Sequence, residues 1–155
     1  RGVWIAENIL TVSFLLFLCI TYKYFRLSNK SYLLLFGFML LHVIGSYYAY
    51  SEVPLFTAFK EMFDLTRNHY DRVVHLLFGI IFFIPLREFS SRKLHLSPQW
   101  NNFFAFIIII ALKGMYEVIE YGWLLVTRNE LIGMMYLGMQ GDTWDAQKDI
   151  FGGMV

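Results

Sequence analysis

Four apolar runs, at residues 5–25, 32–50, 71–88 and 102–126, leave this chain little choice of fold. Crossing the hydrocarbon core of a bilayer takes about 20 helical residues, and each run has that length or nearly so. In lipid a backbone has no water to bond, so a spanning segment must satisfy its own N–H and C=O groups. Composition agrees: 57% of residues are hydrophobic, 19% are aromatic, and mean hydropathy is +0.50. The expected fold is an all-α, polytopic transmembrane helix bundle of about five helices, the fifth starting near residue 145 and truncated. Residues 1–155 form a single integral membrane domain. The third run is the shortest, its apolar part covering residues 73–86 with Pro85 near the end. Arg72 and Arg87 at its ends can snorkel to the two interfaces; a buried or re-entrant helix is the alternative. Lone Cys19 cannot form an intramolecular disulfide and reads as a small packing residue. A net charge of +1 with no basic run excludes an electrostatic nucleic-acid binder.

Loop charges orient the bundle. The first loop holds Lys23, Arg26 and Lys30 without an acid, and the third holds Arg87, Arg92 and Lys93 against Glu88. The second mixes Lys60 and Arg67 with Glu52, Glu61 and Asp64, and the fourth has Arg128 against Glu130 and the aspartates that follow. By the positive-inside rule, loops one and three face the cytoplasm and loops two and four face outward. The N-terminus is then outside. A further helix upstream of Arg1 and the remainder of the last helix beyond Val155 are therefore expected.

That orientation gathers the ionisable groups of the apolar runs at one depth. His42 lies about eight residues, or roughly 12 Å, from the outer end of its span, and Glu117 and Glu120 lie at a similar depth. Asp71 and His75 open the third span from the outer side. The polar stretch Gln140-Gly141-Asp142-Thr143-Trp144-Asp145-Ala146-Gln147-Lys148-Asp149 follows the outer loop. Charged groups at membrane depth are costly and default to a functional reading. Asp71 and His75 are four apart, as are Asp145 and Asp149, while Glu117 and Glu120 are three apart, so each pair shares a helix face. Gly79 continues the Asp71–His75 face with room for close packing, and Gly152 and Gly153 signal close helix approach.

Inward carboxylates and histidines from several helices are how bundles build metal sites. His42, His75, Glu117, Asp142, Asp145 and Asp149 are the candidate ligands for a divalent cation, zinc, manganese, iron or magnesium. Glu120 and Asp71 are the candidate catalytic carboxylates. Arg67, Arg72, Lys148 and Gln140 are the candidate substrate contacts, since arginine binds phosphate with two parallel bonds. Each residue also has a plain structural reading. His42 can be a hydrogen-bonded core residue, Asp71 an N-cap, and Glu117 an i, i+4 partner of Lys113. Asp142 and Asp145 can cap the last helix. Tyr47, Tyr48 and Tyr50 read as an interfacial aromatic belt.

The segments His42-Val43-Ile44-Gly45-Ser46-Tyr47-Tyr48-Ala49-Tyr50, Arg67-Asn68-His69-Tyr70-Asp71-Arg72-Val73-Val74-His75, Tyr116-Glu117-Val118-Ile119-Glu120 and the acidic stretch at 140–149 resemble YjdF-type bacterial inner-membrane proteins. The likeness covers nearly the whole chain, including Trp4 and Glu7. It implies a multi-pass protein of the bacterial inner membrane and brings no activity with it. A looser resemblance, to VanZ-like membrane proteins, rests on Asp71, Arg72 and His75, then Glu117 and Glu120, then Asp145 and Asp149. Glu120 stands where that pattern has glutamine. Two accounts of function follow from the residues. One is a metal-assisted membrane enzyme acting on a lipid or lipid-linked phosphate from the extracytoplasmic side, with Glu120 as general base. The other is a cation or proton transporter or ion-binding protein, which needs polar groups continuing toward the cytoplasmic side. A non-catalytic accessory protein, its acids only locking helices together, is the third alternative.

Overall fold

A computed structural model of the chain describes residues 2–127 and 140–154. Six helices and no strand occur among these residues: α1 (Gly2–Tyr22), α2 (Asn29–Tyr47), α3 (Pro54–Met62), α4 (Tyr70–Lys93), α5 (Pro98–Thr127) and α6 (Asp145–Gly152). The fold is the expected helical membrane bundle. Helices α2, α4 and α5 are long and apolar enough to cross a bilayer, and α1 contributes a shorter apolar stretch, Glu7–Tyr22. Arg128 and Glu130, used above to orient the fourth loop, lie outside the described residues.

Local sequence explains the boundaries. Ser28 caps α2, its hydroxyl accepting from the Ser31 amide at 3.2 Å. Pro54 opens α3 at a position where its missing N–H costs nothing. Helix α4 is longer than the apolar run suggested, because it continues through Pro85 to Lys93. A proline removes one ladder bond, yet chain flanked by apolar neighbours has no better alternative to helix. Arg92 and Lys93 then sit in the last turn, where the helix dipole favours cations. Helix α3 was not expected. It is a short amphipathic helix in the second loop, with Leu55, Phe59 and Met62 exposed. Cys19 is exposed on α1 rather than packed inside.

Packing runs in a line: α1 on α2, α2 on α4, and α4 on α5, with α6 set against α4 and α5. No comparable packing joins α1 to α5 among the described residues. The antiparallel order brings the start of α1, the end of α2, the start of α4 and the far half of α5 to one end of the bundle. At the opposite end, Glu88 accepts from the Ser28 amide, the Ser28 hydroxyl and the Ser31 hydroxyl, and Ser90 donates to Asn101. An aromatic layer separates the two ends. Phe78 stacks on Phe82 at 4.2 Å, Phe38 meets Phe82 edge-on at 5.2 Å, and Phe14 packs on Phe82 at 5.6 Å.

Glycines admit α6. A Cβ at Gly79 would lie 2.8 Å from the carbonyl carbon of Gly153, and a Cβ at Gly153 would lie 3.0 Å from Cε of Lys113. At Gly79 the neighbour is backbone and stands closer than real Cβ atoms come, so α4 and the end of α6 meet at a point that no larger residue allows; at Gly153 the neighbour is the flexible stem of Lys113. We expect Gly79→Ala to destabilise the detergent-solubilised protein by about 1–3 kcal/mol, the usual cost of overpacking. Gly37→Ala, with nothing within 4 Å of its Cβ, should be neutral. Heating both variants and following the surviving monodisperse fraction by gel filtration checks this. Equal melting of the two would mean the close approach does not matter.

Candidate functional site

Two histidines organise the polar end, each bridging a carboxylate and a second polar group. On α2, Nε2 of His42 lies 3.6 Å from Oε2 of Glu7 and 3.3 Å from the Glu7 carbonyl oxygen, while Nδ1 lies 2.5 Å from the Tyr50 hydroxyl. Nε2 faces only acceptors in this set, so it carries the proton, and Tyr50 donates to Nδ1. On α4, Nε2 of His75 lies 3.3 Å from Oδ1 of Asp71, and Nδ1 lies 2.5 Å from Nζ of Lys113. The same reasoning makes Lys113 the donor to Nδ1. Tyr116 joins the two groups: its hydroxyl donates to Glu7 at 3.1 Å, and its ring meets His75 edge-on at 6.1 Å.

The first triad depends on an unusual turn. Ala49 and Tyr50 both take positive φ, 52° and 55°, which costs roughly 1–2 kcal/mol for each non-glycine residue. The turn folds the Tyr50 amide back onto the Gly45 carbonyl at 2.7 Å and lays the tyrosine ring over Gly45. A Cβ at Gly45 would stand 2.5 Å from that ring. Tyr47 is 71% exposed and fits the expected aromatic belt, but Tyr50 is buried against His42. An aromatic run with no pattern to separate its members hid that difference.

Around His75 stand the acids. Glu117 Oε1 lies 3.9 Å from Nδ1. Asp71, His75 and Asp149 each offer a ligand atom within 4.8 Å of the others, and all three residues are buried. Glu120 is buried one turn along α5 from Glu117 and makes no hydrogen bond to a described residue. Oε1 of Glu117 and Oδ1 of Asp149 are buried without a hydrogen bond, although the Arg72 guanidinium stands 3.3 Å from Oδ1 of Asp149. The Glu117 oxygen, in that condition, calls for a cation or a proton. Asp71, His75 and Asp149 can therefore hold a divalent ion, provided their atoms draw together from 4.8 Å and Lys113 or Asp71 yields a ring nitrogen of His75.

The other aspartates serve the arginines. Asp145, 3% exposed, receives Arg67 Nη1 at 2.5 Å and Arg72 Nη2 at 2.6 Å through one oxygen, Oδ1. Arg72 also reaches Asp142 at 2.9 Å and, through Nε, Asp149 at 3.3 Å. Lys148 binds Asp142 at 2.7 Å. Gln140 clasps the Asn68 backbone in both directions, accepting from its amide at 2.8 Å and donating to its carbonyl at 3.0 Å. The structure thus brings Asp71, His75, Glu117 and Asp149 together, with Glu120 beside them. It sets His42 in the neighbouring triad, and it engages Asp142, Asp145, Arg67, Arg72, Lys148 and Gln140 with one another or with backbone. Sequence reasoning passed over Glu7, Tyr50 and Tyr116 as site residues. Glu7 carried a usable signal, an acid near one end of an apolar run.

A cavity of about 250 Å³ opens beside both histidines. Its wall is mainly apolar, from α1, α2, α4 and α5, and its polar lining is Thr11, His42, Tyr50, His75, Lys113 and Tyr116. Met115 and Ile119, also in the lining, are 55% and 40% exposed, so the cavity reaches the apolar outer surface beside α5.

Removing the shared aspartate should be the most damaging change in the ionic cluster. Asp145→Ala leaves two largely buried guanidinium groups short of an anion, and we expect a loss of about 3–5 kcal/mol, read as heat or denaturant sensitivity in detergent. Asp142 gives a pH signature. Its bond from Lys148, foremost, and from the Trp144 amide hold its pKa down to about 2 from 3.8. A carboxylate depressed on folding stabilises above its unfolded value and loses that contribution as pH falls. Stability should therefore decline from pH 3.8 toward about 2 more steeply in the native protein than in Asp142→Asn. Superimposable acid limbs would show the contact to be weak.

Comparison with known proteins locates the chain. It is 28% identical over 149 residues to the inner membrane protein YjdF of Escherichia coli (strain K12), covering 96% of this chain and 70% of that protein. No solved structure matches. A family model described as predicted membrane protein (DUF2238) matches residues 1–155, and the chain belongs to that family.

Proposed function

We propose that this is a multi-pass enzyme of the bacterial inner membrane, metal-assisted, acting on a lipid or lipid-linked phosphate from the extracytoplasmic side. The observation that carries the reading is the buried group Asp71, His75 and Asp149, with a Glu117 oxygen that no hydrogen bond satisfies, beside a cavity that reaches the apolar surface. The relative in Escherichia coli, an inner membrane protein by name, supports the location, and the loop charges support the side.

Asp71, His75 and Asp149 would hold the ion, with Glu117 the nearest further ligand. A bound divalent cation supplies Lewis acidity and a water of lowered pKa. Glu120, free of hydrogen bonds from described residues, takes the proton as general base. The Glu7–His42–Tyr50 triad offers a proton on the facing wall. Asp142 is the most exposed aspartate of the cluster and shares Oδ2 between Arg72 and Lys148. A phosphate released from the site and displacing it would meet both cations, with Arg67 Nη1 at 3.8 Å from the same oxygen.

The transporter account needs a polar route between the two ends of the bundle. The layer of Phe14, Phe38, Phe78 and Phe82 stands across that route and favours a one-sided site.

Elemental analysis of the purified protein is the test. We expect about one zinc, manganese, iron or magnesium per chain, falling at least tenfold in Asp71→Asn and Asp149→Asn as for a lost ligand or support. Glu120→Gln should keep the metal and lose about 10²–10⁴-fold of any phosphate-releasing turnover. A metal-free, well-folded native protein would overturn the reading.

A further inference from the structure

We infer that the cavity is the seat of a single-chain lipid with an anionic head, its tail against the aromatic layer and its head at Lys113. The inference deepens the enzymatic reading above and rests on it for the fate of the lipid, not for its binding.

Three observations lead there. First, the lining is charge-selective. Five acids, Glu7, Asp71, Glu117, Glu120 and Asp149, surround the histidines, yet none lines the cavity; its polar lining is Lys113, His42, His75, Thr11, Tyr50 and Tyr116. Lys113 is 4% exposed and has one of its three protons directed to His75. Its remaining donors have no hydrogen-bond partner among the described residues and can turn to an anion, although the carboxylates of Asp71, Glu117, Glu120 and Asp149 share its field. Second, the cavity is amphipathic along its length. Phe14, Phe38, Met39, Phe78, Phe82 and Leu112 form the apolar part, and the polar groups belong to the histidine end. Third, size and access fit one chain. About 250 Å³ lies just below the usual 300–1,000 Å³ of small-molecule sites, too little for two acyl chains. The mouth at Met115 and Ile119 lies on α5, which has no extensive packing against α1 among the described residues. A chain can thus pass in from the bilayer without crossing water.

The chemistry identifies a head bearing carboxylate or phosphate on one alkyl or prenyl tail. An anion at Lys113 would also draw the ammonium from Nδ1 of His75, releasing the ring nitrogen that a metal would need.

The full chain in phosphatidylcholine nanodiscs, photolabelled with a fatty acid carrying a terminal diazirine, tests this. Adducts should map to peptides holding Phe38 and Phe82. Unlabelled fatty acid and dodecyl phosphate should compete, the stronger of the two naming the head, and dodecanol should compete about tenfold less well, as expected for a lost charge-assisted bond. Lys113→Met should erase the advantage of the anions, and Leu112→Trp, which fills the cavity, should erase labelling. If either variant fails to fold, competition in the native protein decides alone. Labelling spread evenly over outward residues such as Ile107 and Val118, or equal competition by the alcohol, overturns the inference. Metal bound without cavity labelling would leave the enzymatic reading and remove this one; cavity labelling without metal would do the reverse.

Discussion

One oxygen of Asp145 holds the polar end together. Two guanidinium groups, Arg67 from the loop before α4 and Arg72 from its first turn, converge on Oδ1, and the aspartate belongs to the first turn of α6. Without that anion, the arginines would stand in a low-dielectric setting with too few partners, and α6 would lose its main attachment beyond the glycine contact. Everything else that α6 delivers follows from this joint. Asp149 is one turn further along, so the joint brings a third carboxylate to His75, beside Asp71 of α4 and Glu117 of α5. Buried pairs of this kind cost desolvation and return specificity more than stability. Here the specificity is positional: it sets the register of a short helix against two long ones.

Much of this was legible in the sequence, and the reasons are physical. The spans could be read because lipid punishes unpaired backbone, and the depth of His42, Glu117 and Glu120 followed from helical rise. The i, i+4 pair Asp71–His75 does meet across one turn, at 3.3 Å. Gly79 and Gly153 do mark close approach. Pairing was beyond reach. Lys113 and Glu117 share a face of α5, yet the lysine turns to His75 on α4, because interhelical geometry decides among partners that local spacing leaves equivalent. Tyr50 was hidden for a different reason. Its role depends on two residues in left-handed conformation, and nothing in Ala49-Tyr50 advertises that turn. The amphipathic α3 was hidden by its mixture of charges, which reads as loop.

The two histidine triads face one cavity with opposite characters. In one, a tyrosine hydroxyl donates to the ring; in the other, an ammonium does. Each ring is fixed in one tautomer by a carboxylate behind it, the usual way a protein sets the reactive edge of an imidazole. Acids placed behind the rings rather than in the cavity tune the histidines and leave the lining free of negative charge. The polar end is therefore arranged in two shells, with anions outside and donors inside.

The aromatic layer has an electrical consequence as well. Moving one charge across the whole membrane potential is worth about 2.3 kcal/mol per 100 mV, and that work is done where the dielectric is lowest. Phe14, Phe38, Phe78 and Phe82 form such a slab, and the ionisable groups of the site lie together on one side of it. Protons and cations that reach these groups from their own side cross only the part of the field that lies above the slab. Voltage can therefore act on the site only through the part of the field on its own side of the slab, although the site is built from helices long enough to enter the bilayer.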